Sequence, residues 1–341
     1  MIRFECDYAE GAHPSILQKL IETNYEQTVG YGVDDYCETA RNYIKKLCGR
    51  EDVNVHFLVG GTQTNSTVIA ATLRPYQGVI SASTGHIAVH ESGTIEASGH
   101  KVLTIPSDDG KISAKEIKEL VEEHYNNSTH EHEVQPGMVY ISFPTENGTL
   151  YSKQELTDIH NVCREYSLPL FLDGARLGYG LMSEKNDVTI SDLAELCDVF
   201  YLGGTKQGLL FGEALVIAND FINKDFRYMI KQHGGMLAKG RLLGLQYCVM
   251  LENGMYFELA KEADRLAIKL RDAFIAKGYK LRYDSYTNQQ FPIMSNVTLE
   301  RLSKNYAFSV WGKVDDEHTA VRFCTSWATS EESVDKLISD L

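Results

Sequence analysis

No apolar run in the 341-residue chain approaches the roughly 18 residues needed to span a bilayer, and no charged-then-apolar leader opens it. Neither a membrane-crossing helix nor a secretory signal is therefore expected. Basic residues are in the minority: 33 Lys and Arg stand against 47 Asp and Glu, a net charge of −14. A surface of that sign repels phosphate backbones and anionic lipid, so neither nucleic acid nor a membrane is an expected partner. The seven cysteines are scattered, odd in number and without a CxxC pair. They read as reduced thiols of a cytoplasmic protein. HExxH is missing, as are a P-loop and a GxGxxG after the first strand, which lowers the zinc, nucleotide and dinucleotide readings. Internal repeats and low-complexity tracts are also absent.

What is present is ordinary core material, 43% hydrophobic and 23% charged. The length fits one large and one smaller domain. We expect an amino-terminal arm over 1–12, a large domain over 13–240 and a small α+β domain over 241–341 that includes a linking helix. Pro14 is suited to the first turn of a helix, Asp34 to capping the next one and Gly49 to ending it. A single long helix is expected from about Leu237 to Lys277. Beyond it, short strands are expected at Tyr279–Arg282, Phe291–Leu299, Ala307–Trp311 and Ala320–Cys324.

The chemistry concentrates between Leu168 and Gly208. LPLFLDGAR is a short apolar run closed by polar groups, as a buried strand ends at a sheet edge. Asp173 precedes Lys206 by about one strand–helix–strand unit, and Lys206 follows a second apolar strand, VFYL, in a glycine-rich turn. Neighbouring parallel strands would bring both to the crevice where open α/β sheets bind ligands. A carboxylate for a pyridinium nitrogen and a lysine for a Schiff base are what pyridoxal phosphate chemistry requires.

Other candidates surround this pair. In VGGTQTNSTVIAATL a glycine turn opens a helix, so Gly61 and Thr62 present free N–H groups suited to a phosphate; simple turn chemistry explains the same glycines. His86, His90 and Glu91 follow a short strand, placed to cover an aromatic ring or relay protons, with surface histidines as the bland reading. The stretch His124–Gly137 mixes three histidines with acids and asparagines and reads as a solvated connection. Thr145, Glu146 and Asn147 sit in a loop at a strand's carboxyl end, facing the same crevice. Arg322 interrupts the apolar strand VRFCTSW and needs a carboxylate, from the protein or from a ligand. Tyr31, in a Gly-Tyr loop, lines a neighbouring subunit's site or packs within its own loop.

With FLDGAR, the Gly-Thr-Lys-x-Gly segment and the glycine turn in this order, the chain resembles L-threonine aldolases and, more broadly, the β-eliminating lyase group of fold-type I pyridoxal phosphate enzymes. The likeness runs over nearly the whole chain. It implies a mostly parallel seven-stranded central sheet flanked by helices, with a small α+β carboxyl-terminal domain. It further implies that Asp173 pairs with the pyridine nitrogen, Lys206 forms the Schiff base after Thr205, Gly61 and Thr62 bind the phosphate, and His86 stacks on the ring. Arg176 and Arg322 are implied to hold the substrate α-carboxylate, and a homodimer or homotetramer is the implied assembly. Three segments depart from the family pattern. Arg-Ser-Asp becomes Glu5-Cys6-Asp7, which puts Cys6 where a serine touches substrate. The Glu-Asn-Thr-His loop shortens to Phe143–Asn147 without its histidine, and Gly-Gly-Gly-Met-Arg reads Gly234-Gly235-Met236-Leu237.

The resemblance therefore implies cleavage of a small β-hydroxy-α-amino acid, L-threonine or L-allo-threonine, to glycine and an aldehyde. A base is needed for the β-hydroxyl proton, either His86 or a water held by His90 and Glu91. The nearest rivals keep the cofactor and change the reaction: β-elimination, racemisation or transamination. More distant ones are a nucleotide-binding α/β protein and a non-catalytic protein of the same fold. No metal is called for.

Overall fold

Short apolar segments such as Met138–Ser142, Leu170–Asp173 and Val199–Gly203 are hydrophobic on both sides, which is the pattern of strands covered on both faces. In the computed structural model, which describes residues 1–341, they form the middle of a seven-stranded sheet. Its strands are β1 (Asn54–Leu58), β2 (Gln77–Ala82), β3 (Lys101–Ile105), β4 (Gln135–Ser142), β5 (Leu170–Asp173), β6 (Val199–Gly203) and β7 (Glu213–Ile217), in the spatial order β1-β7-β6-β5-β4-β2-β3. Only β7 runs against the rest. Alternate residues feed two separate cores. Ile141, Leu172, Phe200 and Val216 face one, while Tyr140, Phe171, Tyr201 and Leu215 face the other.

The expected caps form. Pro14 opens a helix to Glu22, Asp34 accepts the Cys37 N–H at 3.0 Å, and Gly49 closes the following helix in the left-handed conformation. The helix α1 (Gly61–Thr72) follows β1 directly, as the glycine turn predicts.

The long helix expected over 237–277 is two helices, α2 (Arg241–Glu252) and α3 (Met255–Ala276). The chain turns at Gly254, whose φ of 74° suits glycine and which therefore ends one helix while opening the next. Leu243, Tyr247 and Met250 of α2 pack into the large core, whereas Leu266, Leu270 and Phe274 of α3 pack into a third core of small-domain residues. The two helices therefore serve mainly different cores, with Tyr256 at the start of α3 still packed in the large one.

The small domain carries β8 (Lys280–Leu281), β9 (Gln289–Gln290), β10 (Pro292–Ser295), β11 (Ser309–Lys313) and β12 (His318–Cys324), all antiparallel to their neighbours. The strand expected to reach Leu299 stops at Ser295, because the Ser295 hydroxyl accepts the Thr298 N–H and caps a helix over Asn296–Leu302. The arm pairs Ile2 and Arg3 with Tyr306 and Ala307, tying it to this domain. No helix is long and apolar enough to cross a membrane.

Candidate active site

Two glycine turns dock backbone to backbone and create the site. A Cβ on Gly174 would lie 1.8 Å from the Tyr201 carbonyl oxygen, and one on Gly203 would lie 2.4 Å from that of Ala175. The Gly203 N–H donates to the Gly174 carbonyl at 2.9 Å. Glycine is obligatory where backbones approach this closely. The result places Asp173, at the end of β5, and Lys206, just beyond β6, on the walls of one cavity of about 960 Å³.

Asp173 is held on every side. Its Oδ1 accepts the Ala175 N–H at 2.9 Å, and its Oδ2 accepts the Tyr140 hydroxyl at 2.5 Å and the Asn65 amide at 3.0 Å. Burial by itself raises this carboxyl, but the nearby His86 and the Tyr140 hydrogen bond outweigh it and hold the group below the usual carboxylate range. A lasting anion therefore sits at the cavity floor. The Tyr201 hydroxyl lies beside it without a well-formed hydrogen bond.

The Lys206 carbonyl is anchored by the Tyr179 hydroxyl at 2.5 Å. Its amine makes no ion pair. Burial first, and the Arg176 charge second, push it below the ordinary lysine value, toward the neutral and nucleophilic form.

His86 is oriented twice. Its Nδ1 lies 2.7 Å from Glu91 Oε1, and its backbone N–H donates to Glu146 at 3.0 Å. Asn65 bridges Glu91, at 2.7 Å, to Asp173, so one network fixes both groups. Glu91 thus holds His86 directly. Among the loop candidates Glu146 and Asn147 line the cavity, whereas Thr145 turns away to bond Thr149. His90 lines the cavity without a side-chain hydrogen bond, and partial burial followed by the His86 charge lower its pKa.

Gly60, Gly61 and Thr62 line the same cavity. No side chain caps α1, and a Cβ on Gly60 would meet nothing within 4 Å, so the helix terminus opens into the cavity.

The two expected carboxylate-binding arginines differ. Arg176 is already engaged: its Nε and Nη2 donate to the buried Asp7 at 2.6 and 3.0 Å, leaving Nη1. Asn288 adds a third bond to Asp7, at 2.9 Å. Arg322 has no carboxylate partner. It bonds Gln289 Oε1 at 3.2 Å and the Glu5 carbonyl at 3.0 Å, and its guanidinium lies 5.1 Å over the Trp311 ring. Cys6 does not line the cavity; Tyr8 is the arm residue that does, and the buried Asp7 between them bonds Arg176. Tyr31 lies outside this cavity, 48% exposed, with Lys231 over its ring.

Sequence reasoning missed several contributors, Asn65 of the Asp173 network among them. Glu213 opens β7 at the cavity wall, and the signal for it was an acid at the head of the apolar run EALVI, the same anomaly that singled out Arg322. Trp311 is the extra residue of a bulge in β11, between the pairs Val310–Val321 and Gly312–Ala320, and bulges beside sites re-aim side chains. Its ring meets those of His90 and Phe291, and its Nε1 donates to Tyr283 at 3.3 Å. Tyr140 had no distinguishing signal.

These groups suit pyridoxal phosphate: an unpaired amine in a buried wall, a stable anion for a ring nitrogen and an open helix terminus for a phosphate. Thr205 is also in the wall, with its hydroxyl donated to Glu213.

Comparison with known proteins agrees. The β-eliminating lyase family model matches residues 7–296. A low-specificity L-threonine aldolase of a Pseudomonas species is 29% identical over 99% of this chain and 96% of its own. The solved threonine aldolase structure of Leishmania major superposes with a TM-score of 0.97 at 43% identity, covering 99% of this chain and 98% of that one. A histidinol-phosphate aminotransferase of Clostridium acetobutylicum, at 12% identity and a TM-score of 0.76, shares the fold alone.

Proposed function

The chain belongs to the β-eliminating lyase family, and from that premise we propose that it cleaves L-threonine or L-allo-threonine to glycine and acetaldehyde with pyridoxal phosphate as cofactor. The observation that carries this reading is that Lys206 and Asp173 line one cavity, with Arg322 lining it too and free of any protein carboxylate. The aldolase names borne by the Pseudomonas and Leishmania relatives support the choice of reaction.

Lys206 would attach the cofactor, Asp173 would pair with its ring nitrogen, Gly61 and Thr62 would take its phosphate, and His86 would lie against the ring. Bound there, the cofactor supplies an electron sink for the pair released at the substrate Cα. Arg322 binds the substrate α-carboxylate with its planar fork, and Arg176 assists through Nη1. Asp7 keeps Arg176 in place. His90, neutral near pH 7 and free of protein hydrogen bonds, takes the β-hydroxyl proton, while Glu91 keeps His86 oriented. Trp311 and Tyr283 bound the space open to the β-substituent.

The same cavity serves β-elimination, since only the groups near Cβ separate the two reactions. The product decides. The cofactor-loaded protein is mixed with each threonine isomer, and acetaldehyde and glycine are measured against 2-oxo acid and ammonia. Acetaldehyde that disappears with Lys206→Ala is the expected result. Oxo acid with ammonia would move the assignment to elimination, and normal turnover in Lys206→Ala would remove it.

The reading extends to a cytoplasmic homo-oligomer. Seven free cysteines, five of them buried, suit a reducing compartment. Ile21, Tyr25, Val29 and Tyr31 are each exposed, apolar surface that a second copy would cover. Light scattering of the purified protein is expected to give a multiple of the 38.3 kDa chain mass.

A further inference from the structure

Glu213 is a buried acid that the mechanism above leaves without a role. It is 3% exposed, starts the one reversed strand of the sheet and stands opposite Gly203, the last residue of β6. Its Oε2 accepts the Gly204 N–H at 3.1 Å, and its Oε1 accepts the Thr205 hydroxyl at 2.9 Å. The Thr205 oxygen in turn accepts the Gly212 N–H at 3.1 Å, and the Gly204 N–H also reaches the Gly212 carbonyl at 3.0 Å. The two residues immediately before Lys206 are thus tied to one carboxyl group. From below, the Tyr256 and Tyr247 hydroxyls donate to the carbonyls of Gly203 and Leu202, at 2.9 and 2.6 Å.

A brace of this kind requires hydrogen-bond acceptors but no acid. Glu213 makes no ion pair, and a buried carboxylate without a cation is costly unless it is protonated or shares charge with a partner. The titratable neighbours of Lys206 are Arg176, Asp7, Asp173, Glu213 and His90. Those of Glu213 are Lys206, Asp173 and the phenols of Tyr201, Tyr247 and Tyr256. Asp7 is engaged by Arg176 and Asn288, and Asp173 by Tyr140, Asn65 and the Ala175 N–H, which leaves Glu213 as the acid free to change protonation.

We propose that Glu213 is the positioning residue of Lys206: it aims the amine by bracing the 204–206 turn, and it holds the proton that the amine sheds on becoming a nucleophile. In that exchange Lys206–NH₃⁺ and Glu213–COO⁻ become Lys206–NH₂ and Glu213–COOH. One proton moves, total charge is conserved and no heavy-atom bond changes. Burial first, offset in part by the Thr205 hydrogen bond and the Lys206 charge, leaves the Glu213 carboxyl pushed up to about 8, a range in which it can give and take a proton at working pH. The proposal rests on the pyridoxal phosphate reading of the site.

The test is the absorbance of the lysine-bound cofactor in the full-length holoenzyme, titrated from about pH 6 to about pH 10. Wild type is expected to titrate in two steps, one of them near 8. In Glu213→Gln the step near 8 is expected to vanish, and the remaining midpoint to fall, because the anion that favours a protonated nitrogen is gone. Thr205→Val should keep both steps but retain cofactor less tightly in equilibrium dialysis, because the turn is loosened while the acid remains. A Glu213→Gln curve that superimposes on wild type would show the carboxyl to be a brace only. If that variant retains no cofactor, Glu213→Asp takes its place: a displaced step near 8 supports the proposal, and an undisplaced one overturns it. No Lys206-dependent absorbance in wild type would instead overturn the proposed function itself.

Discussion

At the scale of single residues, the arginines divide the binding work by what already holds them. Arg322 has no carboxylate partner, so Arg322→Lys is expected to raise the threonine KM about 10- to 100-fold, the loss of a charged two-point grip. Steady-state kinetics with unchanged KM would remove its role. Arg176 and Asp7 form a buried pair, and Asp7→Asn is expected to lower stability by about 3–5 kcal/mol, because it leaves a buried guanidinium without its counter-charge. The pair also predicts an acid limb. Despite burial, which acts the other way, Arg176 and then Lys206 lower the Asp7 carboxyl from 3.8 to about 2. A depressed acid stabilises the fold above its unfolded value and loses that contribution as pH falls through the folded one. About 2 kcal/mol should therefore disappear between about pH 4 and pH 2, and the gap between the denaturant titrations of wild type and Asp7→Asn should narrow by that amount there. None of this pairing was legible beforehand. An aspartate near the amino terminus and an arginine in DGAR are far apart in sequence, and only the docking of arm on cavity shows that they meet.

At the scale of elements, the site depends on two turns that leave no room for a side chain. Gly174→Ala is expected to cost more than about 3 kcal/mol and to abolish cofactor absorbance, since its methyl group would overlap the Tyr201 carbonyl. Soluble protein with normal absorbance would refute this docking. The bulge that presents Trp311 is the matching device in the small domain. Trp311→Ala should change threonine turnover little while altering selectivity among larger β-substituents, read as kcat/KM ratios across a substrate series. Strands and caps were legible because their signals are local: apolar runs, Pro14, Asp34, Gly49. The break at Gly254 was not, since glycine in an otherwise helical pattern costs only about 1 kcal/mol and carries no sign of which core each flanking helix will join.

At the scale of the whole molecule, the cavity takes its walls from both domains and the arm: Lys206 and Asp173 from the large sheet, Trp311 and Arg322 from the small one, and Tyr8 from the arm. A ligand held by all three should stabilise them together. Saturation with pyridoxal phosphate at 100 times Kd is expected to add about 2.7 kcal/mol to unfolding, visible as a raised Tm, with less gained in Lys206→Ala.

By itself, the sequence determined the sheet-and-helix class, the carboxylate and amine at neighbouring strand ends, and the lack of any long apolar run, because each is written in contiguous residues. The tertiary structure alone decided which arginine lacks a carboxylate partner, which acid bonds the two residues before Lys206 and which core each half of the long helix joins. Those outcomes depend on desolvation and on hydrogen bonds between residues up to hundreds of positions apart, such as Asn288 to Asp7, and no local pattern encodes which of several buried charges will find a partner.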